Sequence, residues 1–228
     1  LKNNSNFEDY LKNIYSIKIS KGKVTTSELA ERMGISSASV SEMISKLSKS
    51  GYVKYLPYKD FELTKKGDEI AINLIRKHRI WEVFLVEYLK YPWDKVHTEA
   101  EILEHTSSNE LIERLEEFLH FPKTDPHGYP IPDRNGHIEK DKSVRLTDIE
   151  KDKSVRLTEL KPGDRALIIK VSDESSEVLG YLTKMNINLK DEIKILEKIN
   201  FDNSIQIQKK EKIFLSEKLS ANIFVIKL

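Results

Sequence analysis

Four prolines in one short stretch, FPKTDPHGYPIPD (Pro122, Pro126, Pro130 and Pro132), divide this chain more sharply than any other feature. Proline fixes its own φ and has no N–H to donate, so the stretch reads as an extended loop. Ahead of it, apolar residues recur at helical spacing. Beyond it they gather into short strand-like runs, from Leu160 to Leu228. A chain of 228 residues with that change of period is long enough for two or three small domains.

The first part begins with a helical pattern over Phe7–Ile17, which Gly22 ends. Thr25 and Glu28 form a capping box for a helix to Met33, and Gly34 makes a tight turn. Ser36 caps a further helix to about Ser50, whose stripe Val40, Met43, Ile44 and Leu47 is buried. Helix, glycine-containing turn and helix is the helix-turn-helix signature. The second helix presents Ser36, Ser37, Ser39, Ser41, Lys46 and Lys49. Short hydroxyls and amines on one face suit a major groove, but they also suit a plain solvated surface. The runs Tyr52–Tyr55 and Phe61–Thr64 flank the turn Pro57-Tyr58-Lys59-Asp60, which adds a β-hairpin and makes a winged helix with Lys59 at its tip.

Three more helices follow: Thr64 to about Leu89, Asp94–His105, and one capped by Ser107-x-x-Glu110. They carry His78 and Glu82 four apart, His97 and Glu101 four apart, and Glu101, Glu104 and His105 at i, i+3, i+4. On helices these spacings place each group on one face. Any one pair could be an ordinary surface contact or, for Glu101, a capping glutamate. Together they can gather imidazole and carboxylate around one or two divalent ions, and Asp125 and His127 in the proline-rich loop add to the candidates. Hard oxygen ligands suit Mn2+, and imidazole also admits Fe2+, Co2+, Ni2+ and Zn2+.

Charge follows the same divisions. Residues 1–75 carry 12 Lys/Arg against 9 Asp/Glu, and residues 76–122 carry 6 against 10. A mildly basic start followed by an acidic middle fits an anion-facing domain beside a cation-holding one. With no cysteine there is neither a disulfide nor a thiolate ligand, and no apolar run approaches a membrane span, so a cytoplasmic protein without a membrane partner is expected.

Past the loop the segment Ile138–Thr147 recurs as Ile149–Thr158, a single tandem duplication read as part of a linker. Beyond it, Ala166–Val171, Glu192–Leu196, Ser204–Gln208 and Ile223–Ile226 are strand-like, with a short helix near Ser176–Met185. Strands so spaced predict a small β-barrel. The expected fold is mainly α with a small β domain. Its parts are a winged-helix domain over 1–75, a helical metal-binding and dimerisation domain over 76–134, a linker over 135–159, and a small Src-homology-3-like barrel over 160–228.

That order, with FEDYLKNIY, LAERMGISSASVSEMISKL, RKHRIWEVFL, HTEAEILEH and PHGYPIP, resembles the diphtheria-toxin-repressor family of metal-dependent transcriptional regulators. It is most similar to the three-domain manganese-responsive members. The resemblance implies a primary metal site formed by Asp9 with Glu101, Glu104 and His105. It also implies a second site using His78, Glu82 and His97, helped by Asp125 and His127 or by a barrel acid such as Glu174 or Glu177. Iron-responsive members have methionine and cysteine where this chain has Asp9 and Glu101, which points to manganese, with iron the alternative. Two-domain manganese members have a glutamate where this chain has Lys12.

The implied protein is a homodimeric repressor of metal-uptake genes, binding a near-palindromic double-stranded operator when metal orders the dimer. A metalloenzyme or a metal-independent winged-helix regulator are the other readings. The enzyme reading finds no H-E-x-x-H, nucleophile elbow or phosphate loop in the chain.

Overall fold

The computed structural model describes residues 2–55, 61–137, 154–173 and 175–228, with side chains from Asn6 onward. The chain divides into two compact units. The first comprises the residues up to His78, Glu101–Arg114 and the segment from Ile131. The second comprises Arg79–Ala100, Leu115–Pro130 and the described residues after 153. No helix among the described residues is long and apolar enough to cross a membrane.

In the first unit, α1 (Lys2–Lys21), α2 (Thr26–Met33) and α3 (Ser37–Lys49) precede a short antiparallel pair, β1 (Val53–Lys54) and β2 (Glu62–Leu63). The local chemistry expected from sequence is in place. The Glu28 N–H donates to Thr25 Oγ1 at 3.2 Å, and the Thr25 N–H donates back to Glu28 Oε2 at 3.1 Å. Gly34 takes the left-handed conformation, φ 66°, that closes α2. Leu11 and Ile14 of α1 are fully buried with Leu29 of α2, and with Val40, Ile44 and Leu47 of α3. One core therefore holds α1 and α3 together, so α1 cannot shift without disturbing the helix expected to read DNA. The turn tip with Lys59 lies outside the described residues.

Thr64 starts α4 (Lys65–Glu87) by accepting the Gly67 N–H at 3.2 Å. The helices α5 (Val96–Thr106) and α6 (Asn109–Phe118) follow. Ser108, not Ser107, caps α6, accepting the Leu111 N–H at 3.1 Å, because Ser107 is spent on the carbonyl of Leu103.

The second unit contains a six-stranded antiparallel sheet with the order β3-β8-β4-β5-β6-β7. Its strands are β3 (Val155–Arg156), β4 (Arg165–Val171), β5 (Glu192–Lys198), β6 (Ile205–Gln208), β7 (Lys212–Leu215) and β8 (Ile223–Lys227). The helices α7 (Ser176–Lys184) and α8 (Glu217–Ser220) complete it. The sheet encloses Leu157, Ile168, Val171, Leu182, Ile195, Ile207 and Val225. Irregularities at Ile168/Lys170 and Ile195/Glu197 let the strands bend around that core.

The sheet begins earlier than expected. Val155 and Arg156, inside the duplicated segment read as linker, pair with Val225 and Phe224, and Leu157 is fully buried.

Candidate metal centre

Helix α1 brings Glu8, Asp9 and Lys12 to one face, opposite Glu101, Glu104 and His105 of α5 and His78 of α4 (all in the first unit). His105 is gripped at both ring nitrogens. Its Nε2 lies 2.8 Å from Asp9 Oδ1 and its Nδ1 2.7 Å from Glu8 Oε2. The hydrogen bond to Asp9 foremost, with Glu8 and Glu104 adding, overcomes burial and raises the His105 pKa to about 9. At neutral pH the ring is an imidazolium that donates to two carboxylates.

The Lys12 ammonium stands 2.7 Å from Glu101 Oε1 and 2.8 and 2.9 Å from the two oxygens of Glu104. Burial works against its charge, but Glu104 and Glu101 outweigh that and hold its pKa above the ordinary lysine value. His78 Nδ1 donates to Glu104 Oε2 and lies 3.3 Å from Lys12 Nζ. Glu104 is completely buried, whereas the Glu101 side chain is 36% exposed.

Asp9, Glu101, Glu104 and His105 each offer a ligand atom, all within 4.8 Å of one another. Three carboxylates and an imidazole without sulfur fit a divalent ion of the Mn2+ class. Sequence reasoning did not find Glu8, whose only signal was its place beside Asp9.

A second cluster lies within the second unit. Glu82, Asp125 and His127 are buried and offer ligand atoms within 4.8 Å of one another. The loop geometry leaves one ligand atom of each loop residue unspent. Asp125 Oδ1 accepts the N–H groups of His127 at 2.8 Å and Tyr129 at 2.9 Å. His127 Nε2 donates to the Trp93 carbonyl at 2.8 Å, and the two rings stack. That leaves Asp125 Oδ2 and His127 Nδ1 buried and outside hydrogen-bond distance, the former 3.6 Å from Arg79 Nε and the latter 3.5 Å from Glu82 Oε2. The bond from Nε2 to a backbone carbonyl fixes the ring so that Nδ1 is the atom turned toward Glu82, the arrangement of a histidine ligand once the Nδ1 proton leaves.

Burial, then the Glu82 charge, push the Asp125 pKa up to about 7, with Arg79 and His127 opposing and Asp173 adding. Burial opposes the His127 charge, but Glu82 and Asp125 raise its pKa to about 9. These residues fit an ion as well: a buried acidic pair held by protonated neighbours has its counter-charge built in only while the protons stay.

Of the residues expected at the second site, Glu82, His97, Asp125 and His127 lie in the second unit, with His97 Nδ1 3.5 Å from Glu82 Oε1, and His78 lies in the first, beside Glu104. Of the barrel acids, Glu177 is exposed and Glu174 lies outside the described residues; Asp173 is the one whose charge reaches Asp125.

On α3, Ser36, Ser37, Ser39, Lys46 and Lys49 are exposed and Ser41 is half-buried. Ser36 accepts the Ser39 N–H as the cap, Ser41 donates to the Ser37 carbonyl, and Lys46 pairs with Glu42 at 2.7 Å. The Ser36 and Ser39 hydroxyls also lie 2.9 Å apart, so Ser37 and Lys49 are the members of the group whose side chains stand outside those cap, backbone and ion-pair contacts.

Protons set the first expected result. A raised histidine pKa stabilises the ion-free fold fully below pH 6.5, and that contribution is lost as pH rises through about 9. An ion needs the deprotonated ring, so the linkage for binding runs the other way. Mn2+ affinity at the Asp9–His105 site is expected to rise between pH 6.5 and 8.5, with release of roughly one proton per ion. Calorimetry in two buffers of different ionisation heat reads the proton count; a count of zero at pH 7 refutes the imidazolium.

Three family models match the chain. Residues 4–61 match the iron dependent repressor N-terminal DNA binding domain, and residues 64–133 its metal binding and dimerisation domain. Residues 155–227 match the FeoA domain. The iron-dependent repressor IdeR of Mycobacterium bovis is 37% identical over 125 residues, covering 55% of this chain and 54% of that protein. The chain thus aligns with about half the length of that relative. The transcriptional regulator MntR of Oceanobacillus iheyensis is 34% identical over 52% of this chain and 80% of its own length. Among solved structures, a manganese-dependent transcriptional repressor in complex with manganese superposes with a TM-score of 0.86 at 33% identity, over 97% of this chain and 100% of that one. The manganese regulator SloR superposes at 0.77 with 34% identity, over 97% and 98%.

Proposed function

The chain belongs to the iron-dependent repressor family, that of the diphtheria toxin repressor, and from that premise we propose a homodimeric DNA-binding repressor controlled by a divalent ion, manganese first. Asp9, Glu101, Glu104 and His105 hold the controlling ion; Glu82, His97, Asp125 and His127 hold another. When bound, the ion supplies the positive charge that draws carboxylates of α1 and α5 to a common centre.

The observation that carries this reading is the contact of Asp9 with His105 at 2.8 Å. Asp9 sits one residue before Tyr10 and two before Leu11, both buried in the core that also packs α3. Fixing the carboxylate of Asp9 against α5 therefore fixes the helix that carries Ser37, Ser39 and Lys49. Two such helices in a dimer match two half-sites about one helical turn of DNA apart, ~34–36 Å. An aromatic cluster supports the dimer: Phe84 stacks on Tyr88, Phe118 packs against both, and Tyr88, Phe118 and Phe121 are about half exposed. An exposed apolar patch of this kind marks an interaction surface. A metalloenzyme gains nothing from membership of a repressor family.

The test is DNA affinity across Mn2+, Fe2+ and Zn2+ with chelated controls, on duplexes selected by the protein from a random pool. Coupling of ~1–3 kcal/mol, a gain of roughly 5- to 150-fold with the activating ion, is expected. Asp9→Ala is expected to keep the fold and lose the gain. Equal affinity with Mn2+ and with chelator removes the proposal.

A further inference from the structure

The duplicated segment is a motif that neither an ion nor DNA accounts for. Ile138–Thr147 and Ile149–Thr158 are identical, and the likeness runs two residues further, Asp148-Ile149 against Glu159-Leu160. The second copy is part of the barrel. Val155 and Arg156 pair with Val225 and Phe224 of β8, and β3 stands at the end of the sheet order. Leu157 is fully buried in the barrel core, and Leu160 is buried beside it. The Arg156 guanidinium donates to the Ala221 carbonyl at 2.7 Å and lies over the Phe224 ring. The Arg156 N–H donates to Glu159 Oε1 at 3.0 Å. The first copy lies outside the described residues, but its sequence meets each of these demands. It offers Val144 for Val155, Arg145 for Arg156, Leu146 for Leu157, Asp148 for Glu159 and Ile149 for Leu160.

We propose that the edge of β8 is a docking site that either copy can fill, so that the first copy replaces β3 in the same chain and the tether from His137 to the barrel has two lengths. With the second copy docked, residues 138–154 form the tether; with the first, residues 138–143 do. The eleven residues drawn in, ~36–40 Å of extended chain, pass to the turn before β4. Exchange at a sheet edge breaks one short ladder, whereas a central strand would break two. The core receives the same leucine. Lengthening the turn before β4 costs little, because loop-closure entropy grows only with the logarithm of length. The longer turn and the shorter side chain of Asp148 favour the second copy, which makes the first the minor occupant. A copy from another molecule competes less well, since the first copy is held on the same chain at high effective concentration. The inference stands apart from the metal reading: neither copy carries a proposed ion ligand or DNA contact.

The experiment uses the full chain, which has no cysteine of its own, so introduced pairs report without background. Arg156→Cys with Phe224→Cys spans the observed pairing and is expected to oxidise to a disulfide within one chain. Arg145→Cys with Phe224→Cys is expected to form the corresponding intrachain disulfide more slowly, and faster once Leu157→Asp is added. Peptide mapping identifies the linked residues, and non-reducing gels separate links within a chain from links between chains. Stability supplies a second readout. Leu146→Asp alone is expected to leave the melting of the barrel unchanged. Leu157→Asp alone is expected to retain a cooperative transition, because Leu146 takes the buried place. The two together are expected to lose it, since a carboxylate then enters the core in either arrangement. The proposal is overturned if the 145–224 link fails to form with and without Leu157→Asp while the 156–224 link forms. It is also overturned if the 145–224 link forms only between chains, or if Leu157→Asp is as destabilising as the double variant.

Discussion

Glu104→Ala is expected to cost the ion-free protein about 3–5 kcal/mol and to remove the ion from the Asp9–His105 site. Glu104 is completely buried, and three groups depend on it. Lys12 Nζ is bonded to both its oxygens, His78 donates to it, and His105 Nε2 lies 3.7 Å away. Deleting the carboxylate leaves an ammonium whose side chain is only 14% exposed with the partly exposed Glu101 as its remaining carboxylate partner. The cost is that of a buried charge that has lost its buried counter-charge and keeps only a solvent-screened one.

Two comparisons make this specific. Glu101→Ala removes a ligand of the same type from a 36% exposed position, where solvent screens the ion pair, so its stability cost is expected near ~1 kcal/mol while ion binding is equally lost. The double variant Glu104→Ala with Lys12→Met is expected to recover most of the stability and none of the ion binding. Chemical denaturation with chelator present, paired with Mn2+ titration, measures both. A Glu104→Ala protein as stable as Glu101→Ala contradicts the buried-charge account.

Much of this was readable in the chain, for a definable reason. Helical periodicity and the Glu101, Glu104, His105 spacing reveal which residues share a face, because that follows from 3.6 residues per turn. The partner across the gap is not a property of the spacing. His78 and Glu82 share a helix face by sequence, yet His78 takes Glu104 and Glu82 takes His97 and His127. Asp9 as a ligand came from the family resemblance, since nothing local to FEDY distinguishes Asp9 from Glu8. The structure uses both, on opposite nitrogens of His105.

Strand β3 was hidden for a different reason. The duplicated stretch is highly charged, and a two-residue strand has too few positions to show a period of two. What gives it its place is pairing with β8 and the burial of Leu157, both long-range facts. The Trp93 carbonyl that fixes the His127 tautomer is likewise a backbone group, which no side-chain pattern encodes.

The second large effect is expected at Gly128. It sits at φ +92°, and a Cβ there would lie 2.1 Å from the Ile169 carbonyl oxygen and 2.9 Å from Lys170 Cα, both in strand β4. Those neighbours are backbone, so neither can swing away, and the loop must leave the strand. Its departure breaks the bond from the Val171 N–H to the His127 carbonyl, 3.0 Å in the native protein. His127 and Asp125 then lose the register that holds one unspent ligand atom each beside Glu82.

Gly128→Ala is therefore expected to destabilise the second unit by roughly 2–4 kcal/mol, combining a positive-φ penalty with overlap against backbone. It is also expected to lose the ion at Glu82, Asp125 and His127 while keeping the one at Asp9 and His105. Gly163→Ala is the matched control. Its φ is +93° with nothing within 4 Å of the added Cβ, so it carries the conformational penalty alone, ~1–2 kcal/mol, and should leave both ions bound. Thermal melts with Mn2+ counts on the two variants decide the matter. If Gly128→Ala behaves like Gly163→Ala, the close packing of the loop on β4 is not what positions His127.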